Sequence, residues 1–310
     1  MHERIGRAGA SVRRGAGSLL SPTGLRGAAV EAAWVTAHAA LYPLGVLAER
    51  ARPDSPRTLG RLSPVQRGLL IGDIEAAGTP ILLVHGMVDN RSIFTLLRRG
   101  LRRRGFGRVL TLNYSPLTRD VRKAAENLAA RVELLCSETG FERIHVIGHS
   151  MGGMIARYYV QRLGGDARVH TLVTLGTPHE GTLAAHLLPH PLARQLRPDG
   201  DIVTELRASA PGCRTRFLAV WSDLDQMVVP RRAACLDHPD LLARNVLVRG
   251  VGHMSLPINR RAVHEISATL AHLDPAGVTL TAGVTSIGSA RAQDPPVFSR
   301  SAGVRRPVTG

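Results

Sequence analysis

The stretch that decides the fold spans residues 144–160 and reads IHVIGHSMGGMIARYYV. Its first part, from Ile144 to Ile147, is a short apolar run that predicts a buried strand. Its last part is helical in pattern, and the turn between them has the sequence Gly-x-Ser-x-Gly. A serine on such a strand–turn–helix corner stands exposed over a helix N-terminus, whose backbone N–H groups favour negative charge. Ser150 is therefore the candidate nucleophile.

Outward from this turn, β-rich runs alternate with helical patterns, which predicts an α/β fold with a mostly parallel central sheet and helices on both faces. The predicted strands are Leu69 to Ile74, Ile81 to Val84, Arg108 to Asn113, Ile144 to Ile147, Val169 to Leu175, Phe217 to Trp221 and Val246 to Val248. The predicted helices are Ile93 to Arg104, Asp120 to Glu138, Met151 to Leu163 and Asn259 to Leu273.

A serine hydroxyl is a weak nucleophile until a base takes its proton, so an imidazole and a carboxylate are expected after it in the chain. Asp223 and Asp225 follow one predicted strand, and His253 lies in a glycine-framed loop after the next. Because the two aspartates are two residues apart in one loop, we expect only one of them to reach His253.

A serine nucleophile that attacks a carbonyl group also needs two backbone N–H donors for the oxygen anion that forms during reaction. Met151, the residue after the nucleophile, supplies one. Gly86, which follows the strand Ile81 to Val84, allows a turn that points the N–H of Met87 at Ser150.

These residues resemble a bacterial lipase or esterase of the α/β-hydrolase superfamily. The resemblance is carried by the strings LVHG at 83–86, GHSMGG at 148–153, LGTPHEGT at 175–182 and GVGH at 250–253, and it spans about 69–273. It implies a serine carboxylic-ester hydrolase that cleaves lipidic or medium-chain acyl esters through an acyl-enzyme. The resemblance of 222–228 to the lipase acid loop favours Asp225 as the acid and leaves Asp223 as a turn residue that bonds its own backbone.

Alternatives to hydrolysis remain open at this point. An acyltransferase or thioesterase uses the same triad of Ser150, Asp225 and His253, and an inactive basic interaction module is a further alternative. We predict no cofactor and no metal. His85, His149 and His179 are interpreted as packing or turn residues rather than catalysts.

The segment 181–213 follows the strand Val169 to Leu175, at a place where this superfamily often inserts a cap. Its leucines and prolines form a broken amphipathic pattern, which is typical of a small lid or an apolar pocket wall. The alternative interpretation, an ordinary surface helix whose leucines pack on the core, is equally consistent with the pattern. Under the first interpretation, Leu183, Leu187 and Leu192 bind substrate.

The formal net charge of the 310-residue chain is +16, and all but one of its 40 basic residues are arginine. The charge is spread along the chain, and the densest run, at 98–104, contains no base-stacking aromatic residue. We therefore predict a solvated helix face and no nucleic-acid partner. An acyl-ester substrate and contact with a membrane or lipid interface are the predicted partners, and the oligomeric state stays open.

From the sequence we predict a flexible basic N-terminus at 1–26, a helix and linker at 27–67, a catalytic domain at 68–273 and a disordered tail at 274–310. Segment 27–48 predicts an amphipathic helix, too short before Pro43 to span a bilayer. Cytoplasmic location, membrane association through 27–48 and export all remain open.

The three cysteines fit no metal-ligand spacing. Cys213 and Cys235 pair only if the protein is exported, and free thiols are the commoner outcome.

Overall fold

A computed structural model of the protein describes residues 74–87, 91–114 and 118–271, together with the single residue Ala29. The predicted N-terminal segments, apart from that residue, and the predicted tail at 274–310 lie outside the described residues. In the described part, a parallel sheet carries helices on both faces, as the sequence predicts.

Six parallel strands form the sheet in the order β2-β1-β3-β4-β5-β6. The strands are β1 Ile81–Val84, β2 Val109–Leu112, β3 Ile144–His149, β4 Val169–Leu175, β5 Arg216–Ser222 and β6 Leu242–Val248. Every residue of β1, β3 and β4 is buried, so none of these strands shows the alternation of apolar and polar residues typical of a strand with one solvent face; β1 is wholly apolar.

The α-helices are α1 Ile74–Gly78, α2 Thr95–Arg103, α3 Val121–Thr139, α4 Met151–Arg162, α5 Pro191–Gln195, α6 Asp201–Arg207 and α7 Arg260–Leu270. Helices α3 and α4 bury their apolar sides on one face of the sheet, together with α5 and α6. On the other face, α2 and α7 enclose a second core with β1 and β5. The sheet and the helices on its two faces therefore form three layers.

Two predictions of secondary structure need correction. The run Leu69 to Ile74 is predicted as a strand, but Ile74 begins helix α1, and 69–73 lie outside the described residues. The last strand is longer than predicted, because it begins at Leu242 and not at Val246. Its first four residues are exposed or half-buried at the edge of the sheet, so they lack the apolar signal on which the prediction rests.

Candidate active site

Ser150 occupies the corner between β3 and α4, where the backbone has φ 54° and ψ −126°. It is the one non-glycine residue with positive φ among the described residues. Such a conformation costs of order 1–3 kcal/mol and persists only where the surroundings hold it. Here the Ser150 N–H donates to the carbonyl of Leu175 at 2.9 Å, and the Ser150 carbonyl accepts from the Gly153 N–H at 3.0 Å. The strained corner leaves the serine half-exposed at the start of a 12-residue helix.

Close packing explains the glycines around the serine. A Cβ on Gly148 would lie 2.5 Å from the backbone of Gly153, and one on Gly152 would lie 2.2 Å from the carbonyl oxygen of Val84. Both distances are shorter than any real contact. The start of α4 therefore lies directly against the end of β1, where the predicted oxyanion loop begins.

His253 and Asp225 form a buried pair. The Nδ1 atom of His253 lies 2.7 Å from Oδ2 of Asp225, and the two side chains are 4% and 1% exposed. The other carboxylate oxygen, Oδ1, accepts hydrogen bonds from the N–H groups of Met227 at 2.8 Å and Val228 at 2.9 Å. All these donors fix the carboxylate in one orientation toward the imidazole.

The protonation of Asp225 follows from these contacts. Burial raises the pKa of the carboxyl, but the charge of His253, its hydrogen bond and the two backbone donors outweigh that effect and hold the pKa below its usual value. The carboxyl is therefore ionised at neutral pH.

Asp223, the other aspartate of this loop, has different partners from Asp225. Its Oδ1 accepts from the N–H of Gly250 at 2.7 Å, and Arg249 lies 3.8 Å from its other oxygen. We expected Asp223 to bond its own backbone, but its carboxylate instead accepts a hydrogen bond from the loop that precedes His253. Asp223 thus ties the acid loop to the loop that carries His253.

The serine corner and the buried pair meet at the carboxyl edge of the sheet. Nε2 of His149, the residue before the serine, lies 3.2 Å from the carbonyl oxygen of His253, and the two rings are 4.8 Å apart. Gly176, at the end of β4, has φ +56°, and a Cβ there would lie 3.0 Å from both Oδ2 of Asp225 and Nδ1 of His253. The structure therefore brings Ser150, Asp225 and His253 into one site.

The LGTPHEGT string, at residues 175–182, packs against the Ser150 corner. The Thr177 hydroxyl donates to the Ser150 carbonyl at 2.9 Å. His179 is fully buried, with Nε2 at 2.9 Å from the Thr174 hydroxyl, and its carbonyl accepts from Arg157 at 3.1 Å. Burial, and then the charge of Arg157, hold the pKa of His179 well below its usual value. His179 is thus a neutral internal residue of the turn.

Tyr114, just after β2, is a residue of the site that sequence reasoning missed. Its hydroxyl donates to the carbonyls of His85 at 3.0 Å and Gly86 at 2.6 Å, and its ring stacks on the His85 ring at 4.4 Å. These contacts fix the backbone immediately before Met87. Met151 is buried and Met87 half-buried beside the same core. A polar aromatic residue after a strand was visible in the sequence, but the sequence did not show that this strand adjoins β1.

The segment 181–213 packs on the body of the domain. The backbone N–H of Val121 donates to Oε1 of Gln195 at 2.9 Å, and the buried Arg157 donates to the carbonyl of Leu206 at 2.9 Å. Of the leucines predicted to bind substrate, Leu192 is 3% exposed and belongs to the core, whereas Leu183 and Leu187 are 51% and 83% exposed. The segment therefore combines packed and exposed apolar residues.

Three further findings concern metal, membrane and thiols. Among the described residues, no group of three or more His, Cys, Asp or Glu side chains could hold a metal ion. Within the same ranges, no helix is both long and apolar enough to cross a membrane. All three cysteines are free thiols, so Cys213 and Cys235 are not paired.

Comparison with known proteins supports the fold directly. Residues 79–197 match the family model described as alpha/beta hydrolase fold. Aspergillus fumigatus lipase B superposes with a TM-score of 0.56 at 16% identity, covering 65% of this chain and 55% of that one. The mature form of the Bacillus licheniformis lipase BlEst2 superposes with a TM-score of 0.53 at 16% identity, covering 63% of this chain and 92% of that one. The protein has the α/β-hydrolase fold.

Two curated relatives are similar in sequence over part of the chain. A triacylglycerol lipase of Vibrio cholerae is 31% identical over 128 residues, which are 40% of this chain and 38% of the relative. A triacylglycerol lipase of Pseudarthrobacter phenanthrenivorans is 29% identical over 111 residues, which are 33% of this chain and 34% of the relative. The chain thus matches little more than a third of the length of these lipases.

Proposed function

We propose that this protein is a serine carboxylic-ester hydrolase of the lipase/esterase type. Ser150 is the nucleophile, His253 is the general base and acid, and Asp225 orients the imidazole. The observation that carries the proposal is the meeting of the strained Ser150 corner with the buried Asp225–His253 pair at one edge of the sheet.

The reaction has two halves. In the first, Ser150 Oγ attacks the acyl carbonyl while Nε2 of His253 takes its proton and then returns it to the leaving alkoxide, which forms the acyl-enzyme and frees the alcohol. In the second, water attacks the acyl carbon while His253 takes its proton and then returns that proton to Ser150 Oγ, which releases the acid and restores the serine. The ionised Asp225 stabilises the imidazolium in each half, because its Oδ2 lies 2.7 Å from Nδ1.

The oxyanion formed in each half needs preorganised donors. We assign these donors to the backbone N–H groups of Met87 and Met151. The close approach of Gly152 to β1 supports this assignment, because it brings the helix N-terminus against the loop that contains Met87. Tyr114 is a positioning residue in this scheme, because its hydroxyl holds the two carbonyls before Met87.

The substrate class in this proposal is an acyl ester with an apolar chain. Triacylglycerol lipases are among the relatives, and apolar side chains lie beside the acid loop. Leu183 contacts the residue that directly follows this loop, since its backbone N–H donates to the carbonyl of Val229 at 2.8 Å. We propose that the exposed Leu183 and Leu187 contact an acyl chain at the surface and that the buried Leu192 supports them from the core.

The decisive experiment is covalent labelling with a fluorophosphonate, combined with hydrolysis of a short p-nitrophenyl ester. The wild-type chain should carry one adduct, on Ser150. Ser150→Ala should abolish the adduct, and Ser150→Ala and His253→Ala should each lower kcat by roughly 10⁴–10⁶-fold, with no further large loss in the double variant.

Matched controls are available in the same chain. Ser137→Ala on α3 and His264→Ala on α7 replace exposed residues of the same types and should leave labelling and kcat unchanged. An adduct on another serine, or none in folded wild-type protein, would overturn the proposed function.

A further inference from the structure

Ser222, the last residue of β5, is fully buried at the carboxyl edge of the sheet. Its hydroxyl makes two hydrogen bonds to the backbone, because it donates to the carbonyl of Val251 and accepts from the N–H of Leu224 at 3.1 Å. Leu224 directly precedes Asp225, and Val251 lies two residues before His253. One buried hydroxyl therefore joins the loop that carries the acid to the loop that carries the base.

The fold brings this hydroxyl to an acceptor that is 29 residues away in the chain. Ser222 pairs with Val248 in the register between β5 and β6. The chain leaves β6 after Val248 and turns at Gly250, whose φ of 68° is left-handed backbone that favours glycine. Beyond this turn, the carbonyl of Val251 meets the Ser222 hydroxyl at the end of β5.

The neighbouring residue Asp223 supplies a second link between the same two loops. Its Oδ1 accepts from the Gly250 N–H at 2.7 Å, but its side chain is 32% exposed. A hydrogen bond is stronger in a dry interior than near water, and its loss there leaves a buried carbonyl that water cannot reach. The fully buried Ser222 hydroxyl therefore constrains the loop before His253 more strongly than Asp223 does.

The backbone of His253 is held on its other side by the serine corner. Nε2 of His149, the residue before Ser150, lies 3.2 Å from the His253 carbonyl oxygen. A shift of the loop changes this contact and the 2.7 Å distance between Nδ1 of His253 and Oδ2 of Asp225 together. Proton transfer depends steeply on such distances, because the groups must be aligned before the reaction begins.

We propose that Ser222 is a positioning residue of this site, whose hydroxyl fixes the separation of the acid loop and the His253 loop and so aligns His253 between Asp225 and Ser150. The effect on turnover rests on the proposed function, whereas the alignment of the imidazole does not. The Ser222 hydroxyl acts through His253, so its loss should slow proton transfer and leave substrate binding intact.

Three substitutions at Ser222 form a graded test. Ser222→Ala should lower kcat for a short p-nitrophenyl ester at least about tenfold with KM unchanged, and it should slow fluorophosphonate labelling by a similar factor. Ser222→Thr keeps a hydroxyl and should hold kcat within about threefold of wild type. Ser222→Cys has a weaker donor and should lie between them, and it replaces Ser222→Ala if that variant does not fold.

The matched control lies at the opposite end of β5. Thr215, just before the strand, is also fully buried, and its hydroxyl donates to the Val169 carbonyl at 2.7 Å. Thr215→Val removes this hydroxyl and should lower the midpoint of thermal unfolding about as much as Ser222→Ala does, but it should leave kcat and labelling unchanged. Equal losses of kcat in the two variants, or wild-type kcat in Ser222→Ala, would make Ser222 a structural residue only and overturn the inference.

Proton NMR supplies a readout that does not depend on hydrolysis. A proton held between Nδ1 of His253 and Oδ2 of Asp225, in a short charge-assisted bond, resonates far downfield of other protein protons. This signal should be present in wild type and Thr215→Val, and it should weaken or disappear in Ser222→Ala, because a displaced imidazole loses the bond. A signal of wild-type strength in Ser222→Ala would show that the hydroxyl does not align the imidazole.

The outcomes separate this inference from the proposed function. If the downfield signal depends on the Ser222 hydroxyl but folded wild-type protein takes no fluorophosphonate, the positioning role stands and the hydrolase proposal falls. If wild-type protein is labelled on Ser150 but Ser222→Ala matches Thr215→Val in kcat and in the downfield signal, the hydrolase proposal stands and this inference is wrong.

Discussion

The hydroxyl of Thr177 donates a 2.9 Å hydrogen bond to the carbonyl oxygen of Ser150, so the turn after β4 fixes the backbone of the nucleophile corner. The same hydroxyl occupies the space that Gly153 leaves open, since a Cβ on Gly153 would lie 1.9 Å from Oγ1 of Thr177. The GHSMGG and LGTPHEGT strings are therefore two halves of one packing contact.

This contact predicts the effect of Gly153→Ala. The added methyl must displace Thr177, which removes its bond to Ser150 and shifts the corner. We expect kcat for a short ester to fall at least about tenfold and the free energy of unfolding to fall by about 1–3 kcal/mol. Denaturant unfolding and steady-state kinetics measure both quantities.

A control variant and a rescue variant test this explanation. Gly100→Ala on α2 meets its nearest side-chain atom at an ordinary 3.5 Å and should leave kcat unchanged. Adding Thr177→Ala to Gly153→Ala restores space and should recover part of the lost stability. A Gly153→Ala enzyme with wild-type kinetics would show that this packing does not position Ser150.

The sequence predicted those parts of the fold and site that depend on local pattern. The alternation of elements predicted the parallel sheet, and the buried strands β1 and β4 have the predicted bounds. The beginning of β6 was missed because its first four residues are exposed or half-buried at the edge of the sheet and so show no continuous apolar pattern.

Non-local pairings were beyond the reach of the sequence. Tyr114 and His85 are 29 residues apart and meet only because β2 lies next to β1. Asp223 and Gly250 meet because β5 lies next to β6. Strand order is a property of the folded sheet, so neither contact has a signature in local sequence.

The two aspartates of the acid loop have separate roles, which predicts different effects of Asp225→Asn and Asp223→Asn. The change Asp225→Asn removes the charge that stabilises the imidazolium, so kcat should fall by roughly 10²–10⁴-fold. The change Asp223→Asn keeps a side-chain oxygen that can accept from the Gly250 N–H, so kcat should stay within about threefold of wild type. Steady-state kinetics on a short ester measure both variants, and a larger loss of kcat from Asp223→Asn would reverse the assignment of the acid.

The hydroxyl of Tyr114 predicts a loss of turnover in Tyr114→Phe. Removing this donor leaves the carbonyls of His85 and Gly86 without that bond, and the N–H of Met87 loses its fixed direction. We expect kcat to fall about tenfold with little change in KM, because the donor acts mainly on the transition state.

Tyr158→Phe is the matched control for this change. Both tyrosines are 8% exposed, and the Tyr158 hydroxyl bonds to Glu205 at 2.7 Å. Both variants should lose about 1 kcal/mol of stability, but only Tyr114→Phe should lower kcat. Equal kcat values in the two variants would make Tyr114 a purely structural residue.

The buried His179 predicts a dependence of stability on pH. Its pKa is held well below the usual value of a histidine, so it stays neutral in the folded chain while the unfolded chain binds a proton below about pH 6.5. This contribution to stability is complete above that pH and declines as the pH falls, by up to about 1.4 kcal/mol per pH unit. The lowered pKa of Asp225 acts in the same direction, but only below about pH 4.

Unfolding of wild type and His179→Gln between about pH 4.5 and pH 6.5 isolates the effect of His179. The variant should show a shallower decline, because glutamine does not titrate and its amide can still bond the Thr174 hydroxyl. His264→Gln, which replaces an exposed histidine, should keep the wild-type slope. Identical slopes for wild type and His179→Gln would contradict the assignment of a neutral buried imidazole.

The exposed leucines beside the acid loop predict how activity varies with acyl length. If Leu183 and Leu187 contact the acyl chain, each methylene that they bury adds up to about 0.8 kcal/mol of transition-state binding. kcat/KM should therefore rise from acetate to medium-chain esters and then level off, and Leu187→Ser should reduce the rise without changing acetate hydrolysis. Leu192→Ser should also reduce the rise, but its main effect should be a lower free energy of unfolding, because this side chain is only 3% exposed. The measurement is a kcat/KM series from acetate to palmitate for wild type and both variants, with unfolding free energies alongside, and Leu242→Ser as the exposed control. A steady decline of kcat/KM from acetate onward, unchanged by Leu187→Ser, would exclude an acyl contact at these leucines and leave an esterase for small esters.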